Sequence, residues 1–166
     1  MFQPHEIIAR FSPEITEQFF SFLHDDQRKL YAATIETLAK QRKFRPIFVQ
    51  QMPKPKRHIW IKENLSRATN SSVAAHLLQI WLVESHADLL CDFLDSLGIK
   101  HDANGTIEEL PPAPEKPAVQ TAVETLLGKH DRALVTTYLH AFQALDDAGG
   151  WPSLEEILGE DERLKL

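Results

Sequence analysis

The sequence predicts an all-α protein, a compact bundle or array of about seven or eight helices. Apolar residues recur at helical spacing in most segments, as in Leu89, Phe93 and Leu97, and the strict alternation typical of half-buried strands is missing. Hydrophobic residues make up 43% of the chain and charged residues 25%, a balance typical of folded globular domains.

Local chemistry predicts where the first helices begin and end. Ser12 followed by Pro13 is typical of a helix start, because serine accepts hydrogen bonds from first-turn amides and proline suits the first helical position. Asp25-Asp26 predicts the cap of a helix that reaches about Lys43. A break near Ser85 and a stop at Gly98 divide the next apolar region into two helices.

Later helix boundaries are predicted from two further patterns. Thr106 with Glu109, and Ser153 with Glu156, have the spacing of capping boxes, in which each side chain accepts a hydrogen bond from a backbone amide at a helix start. Gly128 and Gly159 predict left-handed helix stops, since glycine adopts positive φ without steric cost.

Residues 44–55 are predicted to be irregular because their three prolines exclude a continuous helix. Ile47–Val49 is compatible with a short strand. The candidate partner strand, Ile59–Ile61, is read equally well as the start of a helix, and the helix is favoured.

A proline-rich segment at residues 111–117 predicts a stiff, extended connector, since it holds four of the ten prolines. Residues 118–166 are few for an independent core, so their helices are expected to pack back on the first part. The expectation is one domain spanning residues 1–166.

Composition predicts a cytoplasmic protein without disulfides. Cys91 is the single cysteine, and the N-terminal residues lack the pattern of a secretory signal. The longest apolar run, residues 74–83, is about half the length of a membrane span. No membrane association is therefore expected.

Charge is distributed unevenly along the chain. Residues 37–62 contain no Asp or Glu and eight bases, a charge of +8, whereas the other 140 residues carry −14. With Trp60, these bases form the predicted binding set for an anion or partner: Lys40, Arg42, Lys43, Arg45, Lys54, Lys56, Arg57 and Lys62. An acidic protein partner is the leading hypothesis, because clustered cations attract an acidic surface.

Two other interpretations of this segment stay open. Phe44, Phe48 and Trp60 among the bases would also suit single-stranded nucleic acid or RNA, with rings stacked on bases. The structural interpretation is that Lys40 and the bases next to it stabilise the negative end of a helix dipole, and that acidic residues elsewhere in the fold neutralise the segment.

Histidine–aspartate doublets occur three times, at residues 24–25, 101–102 and 130–131. One hypothesis is a metal-dependent phosphohydrolase of the HD type, with His86, His101, Asp102 and Asp147 as metal ligands. The alternative is that the aspartates cap helices or form turns. No Gly-rich phosphate loop or nucleophile motif is present, so recognition is favoured over catalysis, and no cofactor or metal is expected.

Overall fold

A computed structural model of the chain describes residues 1–109, 111–145 and 150–166. It confirms the all-α class: 73% is helical, and no strand occurs in these ranges. The α-helices are α1 Pro4–Ala9, α2 Pro13–Asp25, α3 Arg28–Gln41, α4 Pro46–Gln50, α5 Lys54–Leu65, α6 Ser71–Ser85, α7 Ala87–Ser96, α8 Lys116–Lys129, α9 Arg132–Leu145 and α10 Pro152–Glu160, with short 3₁₀ turns at Ala68–Asn70 and Glu162–Leu164. Within the described ranges, none of the helices has the length and apolar character needed to cross a bilayer.

Eight of these helices have seven residues or more, in agreement with the predicted number. The sequence patterns missed the two short ones, α1 and α4. The strand considered at Ile47–Val49 is instead the body of α4, which starts at Pro46. Ile59–Ile61 lies within α5, as favoured.

Several predicted boundaries are confirmed. The Ser12 side chain accepts a hydrogen bond from the Ile15 amide at 3.2 Å, and Pro13 begins α2. The break between α6 and α7 falls at His86, next to Ser85. Gly98 follows α7 with a positive φ of 67°.

Other boundaries were predicted wrongly. Gln27, not Asp25-Asp26, precedes α3, which ends at Gln41. No helix starts at Thr106, because its amide and hydroxyl bind the Asp102 carboxylate. The last two residues of the expected connector, 116 and 117, already belong to α8.

The predicted roles of three α8 and α10 residues are also corrected. Gly128 and Gly159 lie inside their helices without positive φ. After Gly128 the helix continues to Lys129 and the chain then extends, so no left-handed glycine is needed. Ser153 is the second residue of α10, not its cap.

The chain divides into two compact units. The first unit is residues 4–77, and the second unit is residues 1–3 and 78–166. Within the second unit, α8 packs on α7 and α10 packs on α8 and α9. The single domain of residues 1–166 stays a prediction.

In the first unit, α5 packs against α1 and α3. Ile61 and Leu65, one turn apart, are fully buried and define its inward face. The Lys62 ammonium donates to the Phe11 carbonyl and to the Thr16 hydroxyl, both at 3.2 Å. These contacts fix the rotation of α5 and therefore which of its side chains face solvent.

A tight turn in the second unit is built on Asp102. Its carboxylate accepts from the amides of Asn104 and Thr106, both at 2.9 Å. Gly105 completes the turn with a φ of 72°, and a Cβ there would lie 2.4 Å from the Leu90 Cβ. The turn therefore packs on α7 in a way that only glycine allows.

We expect Gly105→Ala to lower the free energy of unfolding by about 2 kcal/mol or more, because it adds a clash to a strained φ. The matched control is Gly128→Ala, at a helical glycine whose Cβ would meet open space. That change should raise stability by roughly 0.5–1 kcal/mol, because alanine favours the helix. Urea unfolding of both variants measures this difference, and equal stabilities would contradict the described turn.

Candidate partner-binding surface

Residues 37–62, which we call the acid-free segment, carry most of the exposed large apolar side chains of the described residues. Among the described residues, five large hydrophobic side chains are exposed, and four of them belong to this segment: Phe44 (48%), Ile47 (47%), Phe48 (56%) and Ile59 (59%). Six of its bases, Lys40, Arg42, Lys43, Arg45, Lys54 and Lys56, are also exposed. We call these ten residues the basic surface.

No base of the basic surface forms an ion pair within 4.0 Å in the part of the chain that the structure describes. By contrast, Lys116, Lys129 and Arg163 of the second unit each pair with carboxylates. Within the described residues, no direct ion pair therefore supports the interpretation that acids elsewhere neutralise the segment.

Favourable interaction with a helix dipole explains the position of only some of these bases. Lys40 lies in the last turn of α3, where a cation is favourable. Lys54, Lys56 and Arg57 instead occupy the first turn of α5, which contains no acid. Cations at this positive end are unfavourable, and an anion bound there would remove the penalty.

The other members of the predicted binding set are held by intramolecular contacts. Arg57 is half-buried and donates from Nη2 to the Met52 carbonyl at 2.9 Å. The ammonium of Lys62 is bound inside the unit, and burial lowers its pKa. Trp60 is half-buried, with its ring edge-on to Phe44 at a centroid distance of 6.3 Å.

Net charge follows the division into units. Residues 4–77 contain 12 Lys and Arg against 7 Asp and Glu, a formal charge of +5. The second unit contains 6 against 17, a charge of −11. The basic surface therefore belongs to a unit that is basic overall.

The first histidine–aspartate doublet joins a cluster of rings in the first unit. His24 Nδ1 lies 2.6 Å from the Asp25 carboxylate, which lowers the pKa of Asp25. The His58 ring stacks on Phe20 at 4.9 Å and meets Tyr31 edge-on at 5.9 Å. Burial among these rings, with Lys54 close by, lowers the pKa of His58 to about 4.

The second doublet, proposed as part of a metal site, is engaged in local structure. His101 lies 2.6 Å from the Asp102 carbonyl oxygen through Nδ1 and 2.9 Å from the Asp95 carboxylate through Nε2. His86 is half-buried, with its ring edge-on to Trp81. Asp147 lies outside the described residues.

The third doublet is split between two contacts. His130 Nε2 lies 2.7 Å from the Asp92 carboxylate, and Asp131 accepts the Leu134 amide at the start of α9. In the described ranges, no three or more His, Cys, Asp and Glu side chains converge as metal ligands would. The doublets there act as ion pairs, a turn and a cap.

Sequence reasoning missed two aliphatic members of the basic surface, Ile47 and Ile59. Ile59 had a usable signal: a helix that buries Ile61 and Leu65 places Ile59 about 160° away from Ile61. Ile47 had none, because the short helix α4 was not foreseen.

Comparison of the chain with protein-family models, curated proteins and solved structures finds no match.

We expect iodide to quench the fluorescence of Trp60 several-fold more efficiently than caesium does. Trp81 and Trp151 are buried, while Trp60 is partly accessible and follows Lys56 by one helical turn, so an anionic quencher is concentrated near it. Stern–Volmer titrations at constant ionic strength measure the ratio, and Trp60→Phe identifies the accessible fraction. Equal quenching by both ions would show that no positive potential surrounds the ring.

Acidification should destabilise the protein between about pH 6.5 and 4 through His58. The unfolded state binds a proton near pH 6.5, whereas folded His58 resists it down to about pH 4, so stability falls as pH falls through this window. We expect a loss of about 1 kcal/mol after solvent screening.

The measurement is urea unfolding at several pH values for wild type and His58→Gln, which should show a shallower pH dependence. Proton NMR provides the internal control, because hydrogen bonds to Asp102 and Asp95 raise the pKa of His101. His58 titrating at or above its ordinary value would contradict this account.

Proposed function

We propose that the protein binds an acidic, amphipathic segment of a protein partner through the basic surface. One observation carries the proposal: unpaired cations and four of the five exposed large hydrophobic side chains of the described residues share one segment. Apolar anchors surrounded by charge are typical of protein interfaces.

The kind of partner follows from the side chains present. Two of the apolar members, Ile47 and Ile59, are aliphatic and fill pockets or meet apolar side chains, but offer no ring for stacking. The net charge of −6 for the whole chain repels a long polyphosphate more strongly than a short segment with few carboxylates. A partner with carboxylates and apolar side chains matches both parts of the surface.

A second candidate, single-stranded RNA, is favoured by the exposed rings of Phe44 and Phe48. Aromatic rings among cations form stacking platforms for bases. This candidate requires strongly salt-dependent binding and a major contribution from the two rings.

We expect a labelled helical peptide of glutamate and leucine to bind, and its glutamine counterpart to bind at least tenfold more weakly. The surface variant Arg45→Glu/Lys56→Glu should weaken binding of the glutamate peptide about tenfold or more, and Phe48→Ala about tenfold. Fluorescence anisotropy measures both, and all three positions are exposed, so folding should be retained.

The matched control is Lys29→Glu/Arg67→Glu, which makes the same charge change at exposed residues of the same unit outside the basic surface. It should leave binding unchanged. Equal losses in both double variants would mean that only net charge matters. A labelled oligouridylate that binds more tightly than the peptide, and depends on Phe44 and Phe48, would replace the proposal with the RNA candidate.

A further inference from the structure

A cleft of about 410 Å³ lies in the first unit between α2, α3, α4 and α5. Its lining includes His24, Arg28, Tyr31, Ile35, Gln50 and Arg57. The cleft combines a small apolar part with groups that donate hydrogen bonds, a combination typical of small-ligand sites.

Tyr31 places an unsatisfied hydroxyl at this cleft. The side chain is only 7% exposed, and its buried Oη has no hydrogen-bond partner among the described residues. Burial raises the pKa of Tyr31, and the neighbouring Arg57 guanidinium opposes the increase through hydrogen bonding and charge, so the phenol stays protonated and lies beside the cation. A buried hydroxyl without a partner lowers the stability of the folded state.

Arg57 adds a second unsatisfied donor. The bond from Nη2 to the Met52 carbonyl fixes the guanidinium, while the buried Nε has no partner within the described ranges. The neighbouring His58 has an unpartnered Nε2 as well. Three of the seven such buried atoms found in the described residues therefore belong to this one region.

The local charge favours an anion. Arg28 and Arg57 line the cleft, and Lys54 is close enough to lower the pKa of both Asp25 and His58. Asp25 is the opposing charge, but its carboxylate is already paired with His24. Two cations thus line the cleft and a third lies nearby, while the lining contains no carboxylate, so an oxyanion would meet more attraction than repulsion.

We propose that the cleft binds an oxyanion, the carboxylate or phosphate group of a ligand, and that small shifts of Tyr31 and Arg57 present their buried Oη and Nε donors to it. The anchored guanidinium supplies the charge, and the phenol supplies the second donor. Apart from the nearby Lys54, the site shares no residue with the basic surface, and it does not require a bound partner there.

The test is a ¹H–¹⁵N NMR titration with sodium phosphate and, separately, with sodium acetate. Sodium chloride keeps the ionic strength constant, so that screening does not contribute. We expect saturable shifts of amides in α3 and α5. Tyr31→Phe should weaken binding about tenfold, and Arg57→Gln should abolish it. The control Arg42→Gln, an exposed base that does not line the cleft, should bind as wild type does.

Each outcome decides the proposal. Saturable shifts lost in Tyr31→Phe support it, and the anion that produces them identifies the group as phosphate or carboxylate. Absent shifts, shifts equal to those of chloride, or shifts retained in Tyr31→Phe would overturn the site. The peptide experiment on the basic surface is independent of this result.

Discussion

The rotation of α5 about its own axis decides what the first unit presents to solvent. Burial of Ile61 and Leu65 sets that rotation, and the Lys62 ammonium, bound to the Phe11 carbonyl, holds it in place. Because side chains on a helix are fixed relative to one another, Lys56 and Ile59 must then point outward. The α5 part of the basic surface, Lys54, Lys56 and Ile59, is thus a consequence of core packing, although these residues contribute little to the core.

The clustering of bases in the first turn of α5 is electrostatically unfavourable for the protein without a bound anion. Lys54, Lys56 and Arg57 repel one another and the positive end of α5. Exposed apolar side chains add a solvation cost in the same segment. A bound segment with carboxylates and apolar residues would relieve both costs at once, which is why the combination favours an acidic amphipathic partner over a purely electrostatic one.

Sequence periodicity was sufficient for the fold class and for the longer helices, because one buried face per helix leaves a repeat near 3.6 residues. Sequence patterns failed where one residue is compatible with two local structures. Gly128 is compatible with a helix stop and with a helix interior, and the extended residue His130 decides between them. The acid-free segment was visible in the sequence, but the engagement of Lys62 was not, since Phe11 lies 51 residues away. The cleft was equally hidden, because its side chains come from four separate helices.

The two units use their charged residues differently. In the second unit, Lys129 and His130 pair with Asp92, and Asp102 and Asp131 satisfy backbone amides. In the first unit, cations of the basic surface have no ion-pair partner within the described ranges, and the same holds for hydrogen-bond partners of the buried Tyr31 Oη and Arg57 Nε by distance and angle. Folding alone favours removal of such costs, since each lowers a small net stability. Their concentration in one unit is the reason that we assign the proposed binding role to residues 4–77.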